Sequence, residues 1–184
     1  MLACACASAI FPFFNFNHMF KKILVLLAIA AVAIQFIRPD RSNPKVNPAQ
    51  DLAAVANPPA EVQAILKKAC YDCHSNETVW PWYSNITPVN WFVANHINEG
   101  REKLNFSTFG ALSPADRSEA LGEAAEAIQE GEMPMSSYVL MHPEAKLDAT
   151  QRQTLLNWLQ ANGEQEGGAG HEGKTEHEAE NDED

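Results

Sequence analysis

The sequence Cys70-Tyr71-Asp72-Cys73-His74 carries the most specific chemistry in the chain. C-x-x-C-H is the spacing at which two thiols and an imidazole capture one haem covalently. The sulfurs add across the two vinyl groups of the porphyrin, and the histidine directly after the second anchor is placed to become the proximal iron ligand. The other uses of C-x-x-C find less support. A structural zinc site needs two more ligands at short spacing, and the remaining cysteines, Cys4 and Cys6, lie upstream of a hydrophobic leader. A dithiol redox site needs βαβ patterning around it, whereas the periods here are helical. Covalent haem (haem c) is the expected cofactor.

An electron-shuttling haem iron is commonly held by His on one face and Met on the other, the thioether raising the reduction potential. Three methionines follow the leader: Met133, Met135 and Met141. Met133 is the leading candidate, because it follows Gly131-Glu132 and precedes Pro134 in a constrained loop, 59 residues after His74. Met135 remains an alternative, and Met141 reads as core filling. His96 competes for the same position from the apolar stripe of a helix, where a hydrogen-bonded core histidine is the commoner meaning. Trp80, Trp82, Tyr83 and Trp91 are expected to wall the pocket or pack the core. Arg101 is a candidate partner for a propionate, or else a helix-end arginine.

Four helices must position these groups, and no strand-length alternation lies between them, so the fold class is all-α. The first is predicted to open at Asn57 with Pro58 or Pro59 in its first turn; it carries Val62, Ile65, Leu66 and Ala69 and ends at the C-x-x-C-H motif. The second is capped by Thr87, buries Val89, Phe92, Val93, His96 and Ile97, and weakens or ends at Gly100. The third follows Ser113-Pro114, carries a thin stripe of Leu121, Ala124, Ala125 and Ile128, and stops before Gly131. The fourth begins with a capping box, Asp148 and Gln151, buries Leu155, Leu156 and Leu159, and closes at Gly163.

The ends are separable from this bundle. Residues 1–18 read as a leader extension, or as a mis-assigned start with Met19 as the true one, since Lys21-Lys22 would then form the basic N-terminus of a signal. Ile23 to Ile37 is apolar except for Gln35, so 19–38 is predicted as an uncleaved signal anchor spanning the membrane; cleavage after Ala31-Val32-Ala33 would give a secreted soluble form instead. Residues 39–59, rich in Pro and Asn, read as an extended tether. Residues 60–163 form the domain. The 164–184 tail holds nine acids against Lys174 and is expected to be disordered. Removing those nine acids and one base takes the net charge from −11 to −3. A nearly neutral domain makes nucleic acid an unsuitable partner; redox proteins and the membrane are the expected ones.

Taken together, Cys70 to His74, Trp80-Pro81-Trp82-Tyr83, Asn90-Trp91 leading to His96, Gly100-Arg101 with Leu104 to Ser107, and Gly131 to Pro134 with Tyr138 and His142 to Ala145 resemble the bacterial haem-binding domain family of small c-type cytochromes. The resemblance covers roughly 60–162 and implies a cytochrome c-like bundle around one covalent haem. It also implies a short hydrophobic segment ahead of the domain, with the domain on the periplasmic side. Cys70, Cys73, His74 and Met133 are then the haem-binding set, with His74 and Met133 on the iron. Electron transfer is the expected function. A peroxidase-like enzyme or ligand sensor with an open or displaceable sixth position is the alternative, and a haem-stabilised interaction module a third. No catalytic residue is predicted, because neither a nucleophile elbow nor H-E-x-x-H is present.

Overall fold

The computed structural model of the chain describes residues 16–167, and these are helical without strands. The expected all-α class holds. The leader extension up to residue 15 and the tail from 168 onward lie outside the described residues.

Helix α1 (Phe16–Ala33) runs on through a 3-10 turn to Phe36. The stretch His18–Phe36 has a mean hydropathy of 2.0 and is 0 % buried, so it is long and apolar enough to cross a membrane; a signal sequence has the same properties. It is the one such helix among the described residues.

Within the segment 39–59, expected to be an extended tether, residues 48–55 fold instead. Asn47 caps a 3-10 turn at Pro48–Gln50, and the Asp51 carboxylate accepts from the Ala53 amide to open α2 (Leu52–Val55). Leu52 is 0 % exposed and part of the main core, so residues 48–55 belong to the domain. The Pro and Asn that suggest a linker act here as caps and first-turn residues.

Helix α3 (Ala60–Ala69) opens two residues later than predicted: Pro59 stands at the cap position without a side-chain bond, and Asn57 has a φ of 42°. Its predicted stripe, Val62, Ile65, Leu66 and Ala69, is buried. The chain then turns through the single-turn α4 (Tyr71–His74), a 3-10 turn at Trp82–Asn85, α5 (Val89–Lys103) and a 3-10 segment at Phe106–Ala111. Helix α6 (Pro114–Gln129) is capped by the Ser113 hydroxyl, which accepts from the Asp116 amide. The short α7 (Ser136–Met141) precedes α8 (Ala149–Gly167), whose capping box is reciprocal: Asp148 accepts from the Gln151 amide at 2.8 Å and Gln151 from the Asp148 amide at 3.3 Å.

Two predicted features of these helices are corrected. Gly163 does not close α8; it lies against Gly122 and Ser118 of α6, and its carbonyl accepts from the Ser118 hydroxyl, so a glycine placed for close packing reads in sequence as a stop. Residues 164–167, assigned to the tail, continue the helix. In α5 the buried face is Asn90, Ala94 and Ile97, whereas Val89 and Phe92 are exposed. Helical periodicity gives the angle of an apolar stripe but not what covers it.

Helices α6 and α8 pack along their length, and α3 lies against α8. Their shared core joins Val62, Ile65 and Leu66 to Leu121, Leu155 and Leu159, with Phe106 and Phe109 closing one side.

Candidate functional site

Between this core and α5 lies a cavity of about 950 Å³, at the upper end of the size that takes a cofactor. Its walls are mostly apolar. One wall is the end of α3 and the C-x-x-C-H turn; the opposite one is α6, where Ala120, Ala124 and Ala127 recur at i, i+4 and i+7. Small side chains at that spacing leave the space open rather than filling it.

Cys70, Cys73 and His74 all line the cavity. Helix α4 is a single turn, closed by bonds from the Cys73 and His74 amides to the Cys70 carbonyl, so the two sulfurs and the imidazole fall on one stretch of wall. Both thiols are free. Desolvation, with the neighbouring Cys73 adding to it, pushes the Cys70 thiol up to about 12; desolvation and then Asp72 push Cys73 up to about 11, against a partial lowering by Arg101. Thiolate chemistry is favoured by the opposite shift, so burial here works against an activated dithiol. Nor does any group of three or more His, Cys, Asp or Glu side chains suited to a metal ion occur among the described residues.

His74 is oriented by the backbone. Its Nδ1 lies 3.0 Å from the Leu104 carbonyl oxygen. A carbonyl only accepts, so Nδ1 carries the proton and donates, leaving the ring's lone pair on Nε2. Desolvation lowers its pKa, partly offset by the carbonyls of Leu104 and Gly100, which keeps the ring neutral. Phe106 packs against it with centroids 5.9 Å apart. The approach of α5 depends on Gly100: a Cβ there would stand 3.0 Å from the Cys73 carbonyl oxygen. Gly100 therefore lies inside α5 rather than ending it.

Met133 and Met135 reach the same cavity from the loop after α6. That loop is built by the helix end. Gly131 takes a φ of +78°, its amide bonds to the Ile128 carbonyl at 3.2 Å, and the Glu132 amide bonds back to Ala127 at 3.0 Å, the paired pattern of a Schellman termination. The Met133 amide shares the Ala127 carbonyl at 3.1 Å. The Met133 side chain packs against the core cluster. Met141 is exposed rather than core filling.

His96 also lines the cavity, with Nδ1 2.8 Å from the Phe92 carbonyl and its ring over Phe92. It stands about one turn before Gly100 on α5, the wall that already carries the His74 support.

The other predicted pocket residues lie elsewhere. Trp80, Trp82, Tyr83 and Trp91 do not line the cavity. Trp82 is 70 % exposed, Trp91 donates to the Ile37 carbonyl, and the Tyr83 hydroxyl meets His142 Nε2 at 2.9 Å. Arg101 is committed to structure: it donates to the Ser75 carbonyl, the Thr78 hydroxyl and the Asn43 side chain, tying the residues after the motif to the segment before α2.

Sequence reasoning missed Leu104, whose contribution is a backbone carbonyl and leaves no trace in residue type. It also missed the roles of Asp72 and Tyr138. Tyr138 lines the cavity and donates to the Asp72 carboxylate at 2.8 Å. Burial first, and then the Asp72 bond, raises its pKa, so it stays a phenol. The alanine row of α6 that lines the cavity shares only Ala124 with the predicted stripe.

The residues fit a haem: two neutral thiols and a backbone-oriented neutral imidazole share one wall of an apolar, cofactor-sized cavity, with thioethers at its edge. No curated protein and no solved structure matches the chain. A family model described as haem-binding domain matches residues 29–161, beginning within α1 and so taking in the folded segment that sequence reading left outside the domain. With a match over most of its length and a cavity whose donors suit that group, the chain belongs to the haem-binding domain family, and haem is its cofactor.

Proposed function

We propose that this chain is a membrane-anchored, periplasmic mono-haem c-type cytochrome that holds haem covalently and carries electrons. The observation behind this reading is the presence of Cys70, Cys73 and the Leu104-bonded His74 on one cavity wall, with Met133 delivered to the same space from the end of α6. Bound there, a haem supplies a one-electron Fe(II)/Fe(III) couple. Cys70 and Cys73 would anchor the haem through thioethers, and His74 Nε2 with the Met133 sulfur would hold its iron. Iron held by two protein side chains would offer no free position to oxygen or peroxide, which favours a carrier over an enzyme.

Covalent attachment of this kind is completed on the translocated side of a membrane, which fits α1 as an anchor with the domain beyond it. The cavity rim carries exposed Glu99, Glu102, Glu123, Glu126, Glu130 and Glu132 against Lys103, a charge that favours a basic redox partner.

One observation favours a second reading, a peroxidase-like enzyme or ligand sensor. His96 faces the cavity with Nδ1 taken by Phe92, leaving Nε2 to act on a bound molecule if Met133 does not hold the iron. The absorption spectrum of the exported protein separates the two. A covalent haem that resists acid-acetone, with the weak sulfur–iron charge-transfer band, supports the carrier. Extractable pigment overturns covalent attachment, and tight carbon monoxide or cyanide binding without prior ligand loss favours the second reading.

A further inference from the structure

The apolar run from Ile23 to Ile37, which α1 and its 3-10 turn carry, contains one polar residue, Gln35, and that residue is fully engaged. Its Oε1 accepts from the Thr87 amide and its Nε2 donates to the Thr87 carbonyl, both at 3.0 Å. A side-chain amide paired with both polar groups of one peptide position fixes orientation as well as distance. Two further ties follow in sequence. The Trp91 indole donates to the Ile37 carbonyl at 3.0 Å, and Arg41 donates to the Ser84 carbonyl, the Ser84 hydroxyl and the Asn85 side chain. The end of the anchor is thereby fastened to residues 84–91.

The face beside these ties is apolar and open. Trp82 is 70 % exposed and Ile86 45 %, with Val89 and Trp91 also exposed; Phe36 and Ile37 continue the surface into the helix. None of the six lines the haem cavity. Arg38 is exposed directly after Ile37 and suits anionic headgroups, while the carboxylate of Asp40 is turned to the Ser42 amide and hydroxyl. Tryptophan at the end of a spanning helix, with apolar neighbours and a basic residue at the margin, is the composition of a membrane–water interface.

We propose that this face, centred on Trp82 and Ile86, rests in the headgroup region of the bilayer that α1 crosses, so that the domain is held against the membrane rather than swinging from a leash. The proposal rests on the anchor reading above. It accounts for the misassigned phase of α5: the apolar Val89 side of its first turn is covered by lipid instead of core. It also gives a reason for the tryptophans to lie off the cavity.

The test uses the full haem-loaded chain in vesicles of phosphatidylethanolamine and phosphatidylglycerol containing a diazirine lipid. In one set the diazirine sits near the glycerol and in the other at the acyl terminus. Cross-linked peptides are mapped by mass spectrometry. The expected result is labelling of 18–36 by both probes and of 79–92 by the shallow probe alone. Replacing both exposed anchors, Trp82→Ser with Ile86→Ser, should cut labelling of 79–92 by about five-fold or more while leaving 18–36 unchanged. Labelling confined to 18–36 overturns the docked face and keeps the anchor; a second protein covering the patch would give the same result. Absence of label from 18–36 overturns the anchor reading and, with it, this one.

Discussion

The Tyr138 hydroxyl donates to the Asp72 carboxylate at 2.8 Å, joining the segment that carries Met133 and Met135 to the middle of the C-x-x-C-H motif across 66 positions. Tyr138 is also stacked on His142, which meets Tyr83 and Glu144, so the bond is one member of a braced group. Tyr138→Phe removes a bond to a charged acceptor and should lower stability by about 1–2 kcal/mol. It should also loosen the loop and speed cyanide binding to the ferric protein. Thermal unfolding and the cyanide rate measure the two effects; no change in either would mean that the contact does not brace the site.

Met133→Ala should abolish the sulfur–iron charge-transfer band and lower the reduction potential, while Met135→Ala retains both. The reverse pattern would transfer the ligand role to Met135. Retention of the band in both single variants would remove each methionine as the sole ligand.

Gly100→Ala should weaken the seating of α5 on the motif, because a Cβ would meet the Cys73 carbonyl oxygen at 3.0 Å, and backbone cannot give way as a flexible side chain does. Overpacking of this kind costs about 1–3 kcal/mol, and here it shifts the Leu104 carbonyl that orients His74. The expected outcome is a lower melting temperature with a lower yield of haem-loaded protein. Normal values for both would show that the neighbouring turn relaxes.

Leu52→Ala should destabilise the whole domain by about 2–5 kcal/mol, the range for a fully buried leucine. Denaturant unfolding followed by haem absorbance measures it. A loss below about 0.5 kcal/mol, the scale of a surface change, would return residues 48–55 to the role of a linker.

Several elements were legible before any coordinates because their signals are local. C-x-x-C-H places three groups on one helical turn; Ser113 with Pro114, and Asp148 with Gln151, announce two helix starts; Gly131 marks the end of α6. Other features depend on what surrounds a residue, which sequence does not encode directly. Gly163 reads as a terminator until α6 is seen against it. Leu52 sits among prolines and asparagines whose composition suggests a linker, although Asn47 and Asp51 were available as caps. Nearness in sequence to His74 suggests that the tryptophans wall the pocket or pack the core, yet none lines the cavity, and Trp91 bonds instead to the Ile37 carbonyl just beyond α1. The support for His74 comes from a main-chain oxygen 30 positions away.

Because the amides of both Glu132 and Met133 hang on the single carbonyl of Ala127, the length of α6 acts as a ruler for the methionine loop. Adding or deleting one residue within that helix would turn the loop's point of departure by about 100° and shift it by about 1.5 Å. The count of residues between Ser113 and Gly131 therefore shapes the cavity as much as the identity of the side chains that the loop delivers to it.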